Sequence, residues 1–213
     1  MPLILKHTEP LWGVWKIEED SEVLLSQLTH TDEYLPSLEK LRTEKRKQEW
    51  LSVRVLLKEL LGEETQISYR TNGAPYLPEK EMHISISHTN GYAAVILNEH
   101  TPTGIDIEHR SDRILKVRSR FLSPEEEAYI DKEHTVEHLL ICWCAKEALF
   151  KRIGQSEVDF REHLHISPFP YSESGSLTVT ETRTPQTATY TLNYMFINIC
   201  FANTWFLVTT VIN

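Results

Sequence analysis

The segment TVEHLLICWCAKEALFKRI, residues 135–153, is apolar on nearly every side of a helix and stops at Gly154. A helix that is hydrophobic all round belongs inside a fold, as a buried central element. Gly154 supplies the left-handed conformation that commonly ends such a helix. The stretches that follow, SLTVTETRT, ATYTLNYMFINICFA and TWFLVTTVI, are rich in β-branched and aromatic residues and read as antiparallel strands.

The first half of the chain repeats the order of helix before sheet. LRTEKRKQEWLSVRVLLKELLG, residues 41–62, carries Trp50, Leu51, Val53, Leu56, Leu57, Leu60 and Leu61 at helical spacing, with Gly62 as the stop. ISYRTNGAPYLP alternates and turns. In MHISISHTNGYAAVIL, Ile84 and Ile86 alternate with serines and Asn90-Gly91 is a strong turn signal, so a hairpin is expected. GIDIE makes a further strand, and Ser123-Pro124-Glu125-Glu126 forms a capping box that should open a helix. This order indicates an α+β protein with mainly antiparallel sheets and allows a division into two α/β subdomains, residues 1–100 and 101–213, with the boundary within NEHTPT at 98–103.

Composition removes several classes of function. A chain of 213 residues, 40% hydrophobic and 25% charged, buries a real core. A net charge of -9 argues against broad nucleic-acid binding, because phosphate backbones demand a basic surface. No stretch approaches the roughly 18 uninterrupted apolar residues of a membrane span, and the apolar patch in MPLILKHTEPLW is too short for a signal peptide. Three cysteines, with Cys142 and Cys144 inside one helix, give no disulfide framework, and the expected setting is the cytoplasm.

Within GIDIE, residues two apart share a strand face, so Asp106 and Glu108 look one way while Ile105 and Ile107 look the other. Adjacent carboxylates repel unless a cation lies between them, and hard divalent cations take oxygen ligands. An isolated D-x-E is more often a solvated strand edge, so a third acid is needed. The helix 135–153 supplies it: on the face of Leu140, Trp143 and Cys144, Glu147 and Lys151 are the only charges. Their i, i+4 spacing permits a simple ion pair, yet burying such a pair seldom adds stability. Three carboxylates and one lysine would suit a Mg²⁺ ion and a phosphate oxygen.

GIDIE at 104–108 followed by WCAKEALFK at 143–151 resembles the paired signature of the 4'-phosphopantetheinyl transferases. The long, single-chain, Sfp-like class is the nearer match, through Gly73-Ala74-Pro75, ISHT at 86–89 and RFLSPEE at 120–126. The resemblance implies two similar subdomains about a pseudo-twofold axis, a monomer, and coenzyme A in the cleft between the halves. It implies transfer of the phosphopantetheine arm of coenzyme A to a serine of an apo acyl or peptidyl carrier protein, releasing 3',5'-ADP. That is the holo-[acyl-carrier-protein] synthase type of reaction, serving fatty-acid, polyketide or peptide synthesis. Carried over by motif, Asp106, Glu108 and Glu147 would hold Mg²⁺ or Mn²⁺, Lys151 would contact the phosphate, and Glu147 would be the base. Asp106, Glu147 and Lys151 are then the catalytic set and also touch coenzyme A. Gly73, Pro75, Ser87, His88 and Thr89 would line its phosphates, and Arg46, Arg54 and Arg70 its 3'-phosphate and adenine region. Ala74 stands where the family often has a basic residue, which leaves open which residue, Arg70 for example, makes that phosphate contact instead.

RSDRILKVRSRF, residues 110–121, holds Arg110, Arg113, Lys116, Arg118 and Arg120 in an otherwise acidic chain. It is either a solvated face or a surface that steers an acidic carrier. Rival readings are a zinc site in HTVEH at 134–138, at what should be an exposed first turn, a Mg²⁺-dependent phosphodiesterase or nuclease, and a scaffold that binds carriers or coenzyme A without turnover.

Overall fold

The computed structural model describes residues 2–199 and 204–211, with side chains for residues 2–197. The chain divides into two compact units, Met1–His100 and Thr101–Asn213. Both are mixtures of helix with antiparallel sheet, as the residue patterns predict. Among the described residues no helix is long and apolar enough to cross a membrane.

The first unit opens with two strands, β1 (Leu3–Thr8) and β2 (Leu11–Lys16), and two short helices, α1 (Ser21–Ser26) and α2 (Thr31–Leu38). The long helix α3 (Glu44–Leu61) follows. It starts three residues later than the apolar spacing suggested, because the Thr43 side chain accepts the Arg46 amide and caps it, and it ends at the left-handed Gly62. After the small ribbon of β3 (Ser68–Tyr69) and β4 (Pro75–Tyr76) come β5 (His83–Thr89) and β6 (Tyr92–Asn98), the expected hairpin about Asn90-Gly91. The sheet runs β1-β2-β6-β5, all antiparallel. Helix α3 lies on β2 and β6 and buries Leu51, Leu56 and Leu57 completely against Leu24 and Val95. Glu64 ties the end of α3 to the α1–α2 connection: its carboxylate accepts the Thr29 amide and hydroxyl, each at 2.6 Å, the His30 amide at 2.9 Å and the Tyr34 hydroxyl at 3.0 Å.

The second unit contains β7 (Gly104–His109), α4 (Ile114–Val117) running into a 3₁₀ turn (Arg118–Arg120), and α5 (Pro124–Glu127), which opens with the predicted capping box at Ser123. Helix α6 (Thr135–Ile153) has the predicted bounds, and Leu139, Ile141, Cys142, Cys144, Ala145, Ala148 and Leu149 on it are wholly buried. Strands β8 (Leu164–Ile166), β9 (Ser174–Glu181), β10 (Ala188–Ile199) and β11 (Thr204–Val211) complete it, in the sheet order β7-β11-β10-β9-β8. Cys200, Phe201 and Ala202, which the residue pattern assigns to the tenth strand, lie outside the described residues. Strand β7 stands at one edge of this sheet, with Asp106 opposite Thr209 and Glu108 opposite Leu207.

Candidate active site

Strand β7 and helix α6 pack face to face. The strand's alternation turns Gly104, Asp106 and Glu108 toward the helix, while Ile105 and Ile107 fill the other side. A Cβ at Gly104 would stand 1.9 Å from the carbonyl oxygen of Ala148, so the two backbones meet there with no room for a side chain. That close approach sets the distance between the acids of the strand and the polar stripe of the helix.

Lys151 Nζ donates to Asp106 Oδ1 at 2.7 Å and to the Ile105 carbonyl at 3.0 Å. The Cys144 thiol, wholly buried two turns earlier on the same stripe, is pushed well up by that burial and then by the neighbouring charges of Asp106 and Glu108. Trp143 Nε1 donates to Glu108 Oε1 at 3.4 Å. Glu147 lies between Cys144 and Lys151. Burial, and then the charge of Asp106, push its carboxyl up to about 7, with Glu108 adding to the effect and Lys151 opposing it. Such mutual influence requires Asp106, Glu108, Glu147 and Lys151 to share one locale. The i, i+4 pair of Glu147 and Lys151 allowed by the spacing is replaced by a tertiary one, because Lys151 reaches across to the strand.

Three carboxylates beside one lysine leave excess negative charge, and their oxygens are the hard donors that Mg²⁺ prefers, so the residues suit such an ion by chemistry. Among the described residues, no three His, Cys, Asp or Glu side chains are already drawn into a metal-holding cluster.

The other predicted site residues fall into three groups. In the first unit, His88 and Arg70 are exposed, Arg70 lies 4.9 Å from the centre of the Tyr76 ring, and Gly73 takes φ +83° in the turn before Pro75. Ser87 is buried and Thr89 partly so. Arg46 is exposed and pairs with Glu49 at 2.7 Å. Arg54, expected at the 3'-phosphate and adenine region, is only 4% exposed: it lies against the Trp50 ring, donates to the Trp50 carbonyl at 2.9 Å, and is lowered to about 10 by desolvation. In the basic segment, Arg110 pairs with Glu137 at 2.6 Å and Arg118 with Glu127 at 3.2 Å, while Arg113, Lys116 and Arg120 are exposed.

The rival HTVEH motif is not the exposed first turn its sequence suggests. His138 is 1% exposed, and its Nδ1 accepts the Asp131 amide at 3.0 Å, so that lone pair is spent. His134 stacks on Tyr171 and Glu137 faces Arg110, which gives the three side chains separate structural partners.

Residue patterning missed Lys146. It is 0% exposed and bonded to Glu126 at 2.6 Å, a pairing twenty residues apart in sequence. The available signal was a second lysine inside a helix otherwise apolar all round, since a buried ammonium needs a partner.

Two family descriptions match the chain. "4'-phosphopantetheinyl transferase N-terminal domain" covers residues 39–98, and "4'-phosphopantetheinyl transferase superfamily" covers residues 102–195. The 4'-phosphopantetheinyl transferase of Bacillus subtilis is 32% identical over 87 residues, 39% of this chain and 38% of that protein. The 4'-phosphopantetheinyl transferase AcpT of Escherichia coli K12 is 29% identical over 138 residues, 57% of this chain and 68% of the relative. A relative from Haemophilus influenzae is 30% identical over 96 residues, so the chain spans about two fifths of the length of that protein and of the Bacillus one. The second family match contains both β7 with its two acids and α6 with Glu147 and Lys151, and the first contains α3 and the β5–β6 hairpin; the chain belongs to the 4'-phosphopantetheinyl transferase superfamily.

Proposed function

We propose that the protein transfers the 4'-phosphopantetheine arm of coenzyme A to a serine hydroxyl of an apo acyl or peptidyl carrier protein and releases 3',5'-ADP. The observation that carries this reading is the gathering of Asp106, Glu108, Glu147 and Lys151 between one strand and one helix. Coenzyme A is the donor, and the carrier brings the nucleophile, so no serine of this chain need react.

Asp106, Glu108 and Glu147 would hold a divalent ion, Mg²⁺ or Mn²⁺, which when bound neutralises charge on the diphosphate. Glu147, whose carboxyl is held near neutrality, is suited to accept the serine proton on its carboxylate. The serine oxygen forms the new bond to the phosphorus bearing the pantetheine arm, and the bond to the bridging oxygen of 3',5'-ADP breaks. Lys151, a cation 25% exposed at its side chain and anchored by Asp106, offers its remaining N–H to a phosphate oxygen and offsets charge on the departing group. His88, Arg70 and the Gly73–Pro75 turn are assigned to the phosphates of coenzyme A, with Ser87, Thr89 and Arg46 beside them. Arg54 has little open surface to give a ligand and is assigned to packing around Trp50. Arg110, Arg113, Lys116, Arg118 and Arg120 make up the carrier-facing surface. A cytoplasmic monomer is the proposed setting.

The test is intact-mass analysis of an apo carrier panel incubated with the protein, coenzyme A and Mg²⁺. The expected result is a gain of one phosphopantetheine on the carrier serine, lost in Asp106→Ala and Glu147→Ala, which still fold. Unmodified carriers throughout the panel refute transfer and leave a binding scaffold. Cleavage of coenzyme A without carrier modification would make the protein a phosphodiesterase.

A further inference from the structure

Lys146 precedes Glu147 in sequence, yet it points into the interior of the unit. Its Nζ reaches Glu126 Oε2 at 2.6 Å, the Phe121 carbonyl at 2.7 Å and the Phe160 carbonyl at 2.9 Å. An ammonium has three hydrogens, and all three are used. A buried ion pair adds little stability over apolar side chains of the same size. What it does provide is direction, since three acceptors at fixed angles specify where each attached segment lies, whereas a methionine would specify only volume.

The segments so fixed are telling. Phe121 ends the 3₁₀ turn, its amide donating to the Arg118 carbonyl, so the oxygen held by Lys146 belongs to the residue that closes the turn bearing Arg118 and Arg120. The wholly buried Phe121 ring meets Trp143 edge-on at 5.3 Å, and Trp143 in turn donates to Glu108. Phe121 is thereby joined through its main chain to the neighbour of Glu147 and through its ring to the partner of Glu108. Glu126 secures the other side: Oε2 accepts the Ser123 amide at 2.9 Å, and Oε1 accepts the Ile166 amide of β8 at 2.8 Å.

We propose that Lys146, paired with Glu126, is a positioning residue that holds the basic segment 110–121 in register with Glu147 and Lys151, so that an acidic carrier seated on that segment presents its serine to the acids. This rests on the transferase reading above. Register matters here because a misplacement of about 1 Å at a reacting centre can cost about a hundredfold in rate.

The test compares wild type with Lys146→Met, in steady-state kinetics and in amide hydrogen exchange of the full chain followed by mass spectrometry. Should the stranded Glu126 charge prevent folding, Glu126→Gln/Lys146→Met removes it. The expected result is a KM for apo carrier raised about tenfold while the KM for coenzyme A stays within about twofold, the pattern of a displaced docking surface. Exchange should quicken in residues 114–121 and stay unchanged in β9 and β10. A variant with both KM values unaltered and only a smaller folded fraction would reduce Lys146 to a structural residue and overturn the proposal. So would unaltered exchange in residues 114–121. A wild-type protein that modifies no carrier sinks the transferase reading instead, and the exchange comparison still decides whether Lys146 holds the segment.

Discussion

Substituting Gly104 by alanine tests the contact on which the site's geometry depends. Position 104 is an ordinary strand residue, so the obstacle is space: the new Cβ would lie 1.9 Å from the Ala148 carbonyl oxygen and 2.9 Å from its carbon, against a floor of 3.0 Å that real Cβ contacts respect. Strand and helix must therefore separate by at least about 1 Å, since the obstructing atoms are main chain and no rotamer relieves them. The Lys151 bonds to Asp106 and Ile105, now 2.7 and 3.0 Å, would stretch past the limit at which they count as bonds. Overpacking of this severity costs about 3 kcal/mol or more in stability, and displacement of Lys151 and Glu147 from Asp106 should lower kcat about a hundredfold. Urea unfolding and a carrier mass-shift assay on the same preparation measure both effects. Ala148→Gly offers a sharp control, because removing its methyl leaves the obstructing carbonyl in place, and the double variant should be no better than Gly104→Ala alone. Gly104→Ala with wild-type stability and turnover would show that β7 and α6 do not need to touch there.

Two further outcomes concern ionisation. Burial alone would raise the Glu64 carboxyl, but the hydrogen bonds from Thr29, His30 and Tyr34 outweigh it and lower it from 4.5 to about 2. The bound carboxylate thus contributes stability present above pH 4.5 and lost as pH falls toward 2, roughly 3 kcal/mol in all. Glu64→Gln should be less stable than wild type by about that amount at pH 7, with the gap closing in urea titrations repeated between pH 5 and pH 2; a gap independent of pH contradicts the assignment. Glu147 has the opposite sign. Its raised carboxyl favours the protonated form in the fold, so the metal-free protein loses stability as pH rises from 4.5 to about 7. Glu147→Gln should be inactive in transfer yet more stable than metal-free wild type at pH 8 by about 2 kcal/mol after allowance for partial exposure. Mg²⁺ should raise the melting temperature of wild type far more than that of the variant, and equal responses would remove Glu147 from the ion's ligands.

The legible parts of this molecule were those whose pattern is local. Helix α6 declares itself because nineteen successive residues and the following Gly154 agree, and the β5–β6 hairpin because Asn90-Gly91 sits between two runs of alternating or apolar residues. The acids of β7 and the Glu147–Lys151 stripe were found by counting periods of two and of about 3.6. Strands β1 and β2 and helices α1 and α2 were not, since six or eight residues are too few for a period to stand out, and α1 holds its place largely through Leu24 against the core. The inward turn of Arg54 depends on Trp50 and Tyr34, the latter from a different helix. The partner of Lys151 changed for a related reason: spacing along one helix identifies which groups can meet within it, and a strand residue 45 positions earlier competes for the same ammonium.

The edge position of β7 has a bearing on biosynthesis. Among the described residues its one ladder in the second unit's sheet is made with β11, so the strand bearing two of the three acids is completed by residues 204–211, about a hundred positions downstream. A ribosome must deliver almost all of that length before the two can zip together, and closing so wide a loop is slow. A nascent chain halted between the end of α6 and the start of β11 would therefore hold every proposed catalytic side chain while β7 still lacked its partner strand.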